Sequence, residues 1–252
     1  KNEEQIYVEG KRNEEWYRKD ENGDTYYQYW DKDSLVSEYA DLHYSNGQLK
    51  EKISYREGLK DGKFTGYYPS GKVEYVKRYE DDKPMGKWKF VREDGTTKKI
   101  EVYETGKKND EWITYEKNGD VYYQFWDLDS LVSEYADLHY PNGQLIEKIS
   151  YKDGLKNGKF TGYYENGQTK HIRTYKDDKL EGKFADYTES GQILRKQEYI
   201  NDLLDGSSKE WYLNGEVKVK TSYKAGKLDG DFMSYDSLGR KVTKGEYEMG
   251  LK

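Results

Sequence analysis

The chain has 252 residues, of which 33% are hydrophobic and 37% are charged, and its formal net charge is -6 at pH 7. So few hydrophobic residues are typical of disordered chains, but an aromatic share of 16%, with 28 Tyr and 6 Trp, is not. Large rings bury much area per residue, so the composition favours a thin core of aromatic side chains. The absence of Cys excludes disulfides and thiolate chemistry. The acidic balance gives no reason to expect nucleic-acid binding, and no apolar run approaches the ~18 residues of a membrane span.

One glycine recurs every 24 residues along the chain. These positions are Gly23, Gly47, Gly71, Gly95, Gly119, Gly143, Gly167, Gly191, Gly215 and Gly239. Asn precedes the glycine in six of the ten units. Asn-Gly is a strong signal for a hairpin with a type I′ turn, because both residues tolerate positive φ. The spacing therefore predicts about ten hairpin units, each with this turn at Asn-Gly.

Each unit is predicted to hold two strands and two turns. In the segment GKFTGYY, which starts at Gly62, Phe64, Gly66 and Tyr68 alternate with Lys63, Thr65 and Tyr67. Such a two-residue alternation is typical of a half-buried strand. The short connections exclude parallel pairing. The predicted fold class is all-β, an elongated single-layer antiparallel β-meander of tandem 24-residue hairpin repeats. The weakly patterned ends, Lys1–Gln5 and Met249–Lys252, are expected to fray or to act as caps.

A second period of 96 residues is superimposed on the first. Residues 7–102 align with 103–198 without a gap, and a partial third block covers 199–252. Within the blocks, Thr25–Tyr68 and Val121–Tyr164 differ at only 8 of 44 positions. We treat 1–252 as one continuous array. The similarity of the blocks indicates either recent duplication or a surface that is used twice.

Within one unit, Tyr151, Gly154, Gly158, Tyr163 and Gly167 follow each other at spacings that resemble the MORN repeat. The pattern is most similar to the bacterial MORN variant, whose members are often labelled antitoxins of toxin–antitoxin systems. The resemblance implies a twisted sheet of hairpins with aromatic side chains along a concave face. It also implies a role as a dimerisation device, scaffold or partner-binding platform, with lipid binding proposed for some members.

Two units depart from this pattern and carry the segment DSLVSEYADLHY, which starts at Asp33 and again at Asp129. It is the best helical candidate in the chain, but it occupies the register of strand, turn and strand in the other units. We therefore predict a strand variant. The alternative that bears on function is that SLVSEYADLHY folds over a neighbouring aromatic surface and buries it.

That aromatic surface is the candidate interaction site. Its members are Tyr26, Tyr27, Tyr29 and Trp30, and in the second block Tyr122, Tyr123, Phe125 and Trp126. Alternation along a strand sends Tyr27 and Tyr29 to one face and Tyr26 and Trp30 to the other. A single sheet that is aromatic on both faces exposes one of them unless something covers it. Because Tyr and Trp are preferred interface anchors, these runs are predicted to bind a partner or a sister chain.

Other candidates have simpler interpretations. His43 and His139 stand where other units place Tyr and are interpreted as stacking replacements, whereas His171 stands alone. Asp31 and Asp33 are similar to the start of a calcium loop but lack its Gly and closing Glu, so a turn role is favoured. Lysines recur at fixed offsets from the repeat glycine, as at Lys52, Lys148, Lys196 and Lys220. They indicate either a solvated face or a stripe that attracts anionic lipid.

No motif for a metal, a cofactor or a catalytic nucleophile emerges, so the sequence predicts a protein that is not an enzyme and needs no cofactor. The predicted function is a repeat scaffold that binds a protein partner or forms a homo-oligomer. The alternatives are an antitoxin-like neutralising protein and a peripheral binder of anionic membrane surfaces. Neither nucleic acid nor a small-molecule substrate is expected. Because the chain starts at Lys1 without Met, we interpret it as an exported bacterial chain (periplasmic, surface or lipoprotein) in preference to a cytoplasmic one.

Overall fold

A computed structural model of the chain describes residues 7–8, 11–12 and 14–251. The predicted frayed segment Lys1–Gln5 lies outside the described residues, whereas Glu248 and Leu251 near the other end form an isolated antiparallel bridge. Every regular element in the described part is a β-strand. No helix there is long and apolar enough to span a membrane. The chain divides into two compact units, Lys1–Tyr115 with Phe125–Leu131, and Glu116–Gln124 with Val132–Lys252.

The first unit contains strands β1 to β14 and the end of β15. Their bounds are β1 Tyr7–Val8, β2 Lys11–Arg12, β3 Glu14–Lys19, β4 Thr25–Asp31, β5 Ser34–His43, β6 Leu49–Arg56, β7 Leu59–Lys60, β8 Gly62–Tyr67, β9 Val73–Glu80, β10 Lys83–Pro84, β11 Gly86–Val91, β12 Thr97–Glu104, β13 Lys107–Lys108, β14 Asp110–Tyr115 and β15 Val121–Asp127. From β3 onward, each long strand pairs antiparallel with the next one in the chain, and the two-residue strands β7, β10 and β13 pair with the long strands that precede them. β1 and β2 form a separate pair.

The second unit repeats this arrangement. Its strands are most of β16 Ser130–His139, then β17 Leu145–Lys152, β18 Leu155–Lys156, β19 Gly158–Tyr163, β20 Thr169–Lys176, β21 Lys179–Tyr187, β22 Ile193–Ile200, β23 Leu203–Trp211, β24 Val217–Lys224, β25 Lys227–Tyr235 and β26 Lys241–Tyr247. The long strands from β16 onward pair antiparallel in chain order, and the two-residue strand β18 pairs with β17 beside β19. The predicted all-β antiparallel meander is confirmed. The 96-residue blocks stay a prediction.

The two turns of each unit have different geometries, and the prediction assigned the type I′ turn to the wrong one. At Asn46-Gly47 only the glycine has positive φ, at 81°. The Gly47 amide donates to the Tyr44 carbonyl at 2.8 Å, and the Gln48 amide donates to Asn46 Oδ1 at 3.0 Å. These bonds, and the adjacent register shift in the β5–β6 pair, define a three-residue loop with a bulge at the glycine. Asn46 stabilises this loop through its side-chain oxygen, which accepts the hydrogen bond from the Gln48 amide.

The turn with two positive-φ residues is the other one in each unit. Asp81 and Asp82 have φ of 46° and 63°, and the flanking residues Glu80 and Lys83 are paired. Two consecutive residues of this conformation form a type I′ loop, which suits the twist of the strands. Asp82 also uses its carboxylate to accept the Lys60 amide at 2.8 Å, so the turn is tied to the preceding repeat.

One face of the sheet, here called the ring face, carries most of the buried hydrophobic residues. In the first unit, seven rings follow one another with centroid separations between 4.6 and 6.0 Å. They are Tyr55, Phe64, Tyr79, Trp88, Tyr103, Trp112 and Trp126. In the second unit the ring face is less aromatic, and Ser208 and Thr221 are among its buried residues. Aromatic contacts across a single sheet therefore provide burial that a second layer provides in other folds.

Tyrosine hydroxyls join successive repeats. The Tyr44 hydroxyl donates to the Tyr67 carbonyl at 2.8 Å, and Tyr164 does the same to Tyr187 at 2.8 Å. Tyr68, Tyr140 and Tyr212 make equivalent bonds. We call these bonds the tyrosine rungs. Thr188 occupies the equivalent position in one repeat, and its hydroxyl bonds within its own turn instead.

The variant segment is a strand, as predicted. Ser34–His43 forms β5, which pairs with β4 on one side and β6 on the other over its length. The alternative that this segment folds over the aromatic surface is wrong for the first unit, because its backbone lies in the sheet. The second copy, β16, pairs with β17 in the same way.

Candidate interaction surface

Strand β4 separates the predicted aromatic run onto two faces. Tyr27 pairs with Tyr39 of β5, and Tyr39 pairs in turn with Ser54 of β6, all on the face opposite the ring face. Tyr26 and Trp30 lie on the ring face, where Tyr26 pairs with the buried Ala40. The four residues therefore contribute to two surfaces rather than one.

The face opposite the ring face carries a cluster that we call the tyrosine stack, formed by Tyr17, Tyr27 and Tyr39. Tyr27 and Tyr39 are stacked with centroids 4.5 Å apart and planes 10° apart, and Tyr17 is 5.3 Å from Tyr27. Tyr39 is 46% exposed and the neighbouring Tyr29 is 49% exposed. The ring faces contact each other, so the stack offers ring edges and hydroxyls to the solvent.

A carboxylate holds one end of this stack in place. The Tyr39 hydroxyl donates to Glu15 Oε1 at 2.7 Å. Burial, followed by this hydrogen bond, raises the pKa of Tyr39 to about 12. The hydroxyl therefore stays protonated at neutral pH and remains a donor, while Glu15 orients it.

The second unit contains the counterpart of the stack. Tyr123 and Tyr135 are stacked with centroids 4.2 Å apart and planes 15° apart. Nearby, Gln124 Nε2 donates to Glu134 Oε1 at 2.7 Å, as Gln28 donates to Glu38 in the first unit. The two copies therefore share both the stacked rings and the polar pair on the reverse side of the strand.

The remaining predicted site residues are mostly part of the ring face. Trp30 lies 5.8 Å from Trp16, and Trp126 lies 5.8 Å from Trp112 with Lys108 Nζ 4.1 Å above its ring. Tyr26 lies under the Arg18 guanidinium at 4.4 Å, and burial is the main cause that raises its pKa. In the second block, Tyr122 is 42% exposed and Phe125 is half-buried. Trp30 and Trp126 are half-buried and pack against other tryptophans of the ring face, and their role as interface anchors stays a prediction.

Sequence reasoning missed the charged side chains between the rings. Glu101 is only 7% exposed, and its carboxylate contacts Lys99 Nζ at 2.5 Å and accepts the Tyr103 hydroxyl at 3.0 Å. Lys77 Nζ lies 4.2 Å from the Tyr75 ring centroid and 5.3 Å from that of Trp88. Alternation could have placed these residues on the ring face, but only the register shows them opposite tryptophans.

The histidines do not form a reactive centre. His43 and His139 contact Asp24 and Asp120 at 3.6 and 4.0 Å, each as an equivalent pair in its own unit. His171 was predicted to stand alone, which is wrong, because its Nε2 lies 3.2 Å from Glu147 Oε1. Across the described ranges, no three His, Asp or Glu side chains come together as a metal site would require.

The fold and its periodic turns define a tandem β-hairpin repeat protein. Six segments of the chain match the family described as MORN repeat variant, at residues 42–57, 60–81, 138–153, 156–177, 180–201 and 204–225. The chain thus contains repeats of the MORN type. Each matched segment contains one of the glycines that recur every 24 residues, so the repeat recognised by the family follows the structural repeat.

Comparison with other proteins adds no functional information. No match to a curated protein was found. Among solved structures, a crystal structure of TcdB2-TccC3-TEV is similar at 11% identity with a TM-score of 0.22. The alignment covers 93% of this chain and 17% of that one. The chain thus spans about one sixth of the length of that relative.

Proposed function

We propose that the protein is a non-catalytic scaffold that binds a protein partner through the tyrosine stack and its counterpart at Tyr123 and Tyr135. MORN repeats are consistent with a scaffold or binding role. The observation that carries the proposal is the exposure of a stacked tyrosine cluster, in which Tyr39 is about half exposed, with the equally exposed Tyr29 beside it. Tyrosine is enriched at interfaces because it combines a large apolar body with a polar tip.

Pre-organisation supports this choice of surface. Stacking and the bond to Glu15 restrict the Tyr39 side chain before any partner arrives. A restricted ring loses little conformational entropy on binding, so more of its contact energy appears as affinity. The ring edges and hydroxyls that remain exposed suit a protein surface that offers both apolar groups and hydrogen-bond acceptors.

The presence of two copies also supports a scaffold. One stack lies in each unit, so one chain can hold two copies of a partner or two sites of one partner. Two linked weak sites give an overall affinity above that of either site when geometry lets both engage. Loss of one stack should then weaken binding, and loss of both should abolish it.

The test uses the intact chain as bait in extracts of the producing cells, followed by binding measurements with the purified captured partner. The site variants are Tyr29→Ser with Tyr39→Ser in the first unit, and Tyr135→Ser in the second. The matched control is Leu213→Ser, which removes an exposed apolar side chain from a turn. We expect the site variants to weaken binding while Leu213→Ser does not. Equal binding by all variants, with folding confirmed by circular dichroism, would refute the assigned surface.

Two further outcomes separate the related possibilities. Light scattering of the purified chain shows whether the stack mediates self-association, in which case the site variants become monomers. Capture of a small toxic protein that the chain neutralises would make the partner a toxin, as the antitoxin label of similar proteins implies. The chain can also be tested for flotation with anionic vesicles. If the site variants float as well as the wild type, the membrane contact lies outside the stack.

A further inference from the structure

The second unit contains a depression of about 380 Å³ on the face opposite the ring face. Three lysines line it, Lys196 on β22, Lys209 on β23 and Lys220 on β24, together with Ser207 and Ser222. Strand alternation points these five side chains to the same side of the sheet, away from the buried Ser208 and Thr221. The depression therefore has a cationic base with hydroxyl groups along one edge.

The three lysines, here called the lysine row, lie directly across from one another. The strand register pairs Lys196 with Lys209, and Lys209 with Lys220. Like charges directly opposite on neighbouring strands destabilise a sheet. Within residues 14–251, no carboxylate lies within ion-pair distance of these ammonium groups, although Lys209 Nζ lies 4.8 Å above the Trp211 ring. The row thus carries a concentrated positive charge, and its ammonium groups form no direct ion pair in this part of the chain.

The first unit shows that the repeat does not require lysine here. Residues 96 positions earlier than Lys196 and Lys209 are Ile100 and Ile113. They pair with each other in the same register. The next strand after Lys220 places Met233 in the same row. An apolar side chain is therefore compatible with this position of the repeat.

We propose that the lysine row and its serines form a binding site for a soluble, multiply charged phosphate compound, such as an oligophosphate or a phosphate ester. Ammonium groups on adjacent strands can each contact a separate phosphate oxygen, and lysine binds phosphate as a point charge. The Ser207 and Ser222 hydroxyls provide neutral donors beside them. A bound polyanion would remove the mutual repulsion of the lysines, which gives such a ligand an advantage over a singly charged ion.

One carboxylate at the edge of the depression allows the effects of a negative and a positive charge on anion binding to be compared. Asp231 lines the same depression and pairs across strands with Glu246. Its negative charge opposes an incoming anion. Asp231→Asn should therefore strengthen binding, whereas removal of a lysine should weaken it. A purely structural role for these residues predicts no such opposite pair of effects.

The experiment is calorimetric titration of the full chain with inorganic pyrophosphate at low ionic strength, with sodium chloride as the reference salt. The site variant is Lys196→Ile with Lys209→Ile, which installs the pair that the first unit carries. The matched control is Lys52→Ile, on the same face of the first unit but paired to Asp41. We expect one pyrophosphate site per chain, about tenfold or greater weakening in the double variant, and little change in the control.

Stability measurements separate binding from folding. Because the double variant relieves repulsion, its urea midpoint should equal or exceed that of the wild type, while pyrophosphate raises the midpoint of the wild type alone. The proposal is overturned if pyrophosphate gives no binding heat, or if the double variant and the wild type bind it equally. Binding to vesicles with phosphate-monoester headgroups, without binding to free pyrophosphate, would also overturn the assignment of a soluble ligand.

Discussion

Removal of the Trp88 side chain tests whether the row of rings is the source of stability in the first unit. Trp88 is 7% exposed and lies between Tyr79 and Tyr103, with centroids 5.0 and 4.6 Å away. Its Nε1–H donates to the Arg78 carbonyl at 2.9 Å. Truncation of a buried Trp to Ala costs about 3–5 kcal/mol, and the lost hydrogen bond accounts for about 0.5–1.5 kcal/mol of this. We expect Trp88→Ala to lower the unfolding free energy of the first unit by that amount.

The matched variant is Trp88→Phe, since Phe184 stands at the same place 96 residues later. It keeps a ring between the two tyrosines and removes only the indole donor and part of the buried area. The expected cost is therefore about 1–2 kcal/mol. The difference between the two variants measures the contribution of the ring row itself.

The assay is urea unfolding followed by tryptophan fluorescence and, in parallel, by amide hydrogen exchange. Five of the six tryptophans belong to the first unit, and Trp211 belongs to the second. Fluorescence therefore reports mainly on the unit that carries the change. Since stability in repeat proteins is largely a nearest-neighbour property, exchange in β23 to β26 should remain close to wild type. A loss below about 1 kcal/mol for Trp88→Ala, or equal losses in both units, would refute this reasoning.

Three other changes test separate features. The pKa of Tyr39 is raised from 10.0 to about 12 in the folded chain, so its contribution to stability is complete below pH 10 and is lost as the pH rises towards 12. Tyr39→Phe should flatten that part of the alkaline unfolding curve, and an unchanged curve would contradict the shift. Tyr164→Phe removes one tyrosine rung and should lower the free energy of unfolding in urea by about 1 kcal/mol. An unchanged free energy of unfolding would show that the rung does not stabilise the fold. Gly66→Ala places a Cβ 2.3 Å from the Tyr75 ring, so a thermal melt should show a loss of about 1–3 kcal/mol, and full wild-type stability would show that the ring moves freely.

The fold was predictable from the sequence because its signals are local and repeated. Glycine at a fixed step and two-residue alternation determine the strands and turns without reference to distant residues. The position of the type I′ turn was not predictable from Asn46-Gly47, because the same dipeptide serves a three-residue loop with a bulge. The φ values of Asp81 and Asp82 decide this, and aspartate in a turn is compatible with several geometries.

The candidate surfaces were only partly predictable, because they depend on register. Alternation correctly separated Tyr27 from Tyr26, but the stacking partner Tyr39 lies on the next strand, beyond a turn and a register shift. The lysine row depends on register in the same way. Lys196 and Lys209 are 13 residues apart in sequence, and nothing in that spacing shows that they lie side by side. A pattern on one strand shows which face a residue takes, and the pairing between strands shows its neighbours.

The interruption of the tyrosine rungs at Thr188 has a mechanical consequence. Each rung is a cross-brace between one hairpin and the next, and in the described chain the Thr188 hydroxyl closes its own turn rather than bracing the following repeat. A load that bends the second unit would therefore be carried by fewer ties at this joint than at Tyr164 or Tyr212. We therefore expect the second unit to bend more easily at Thr188, beside the strands that bear the lysine row, than at the repeats that keep a tyrosine rung.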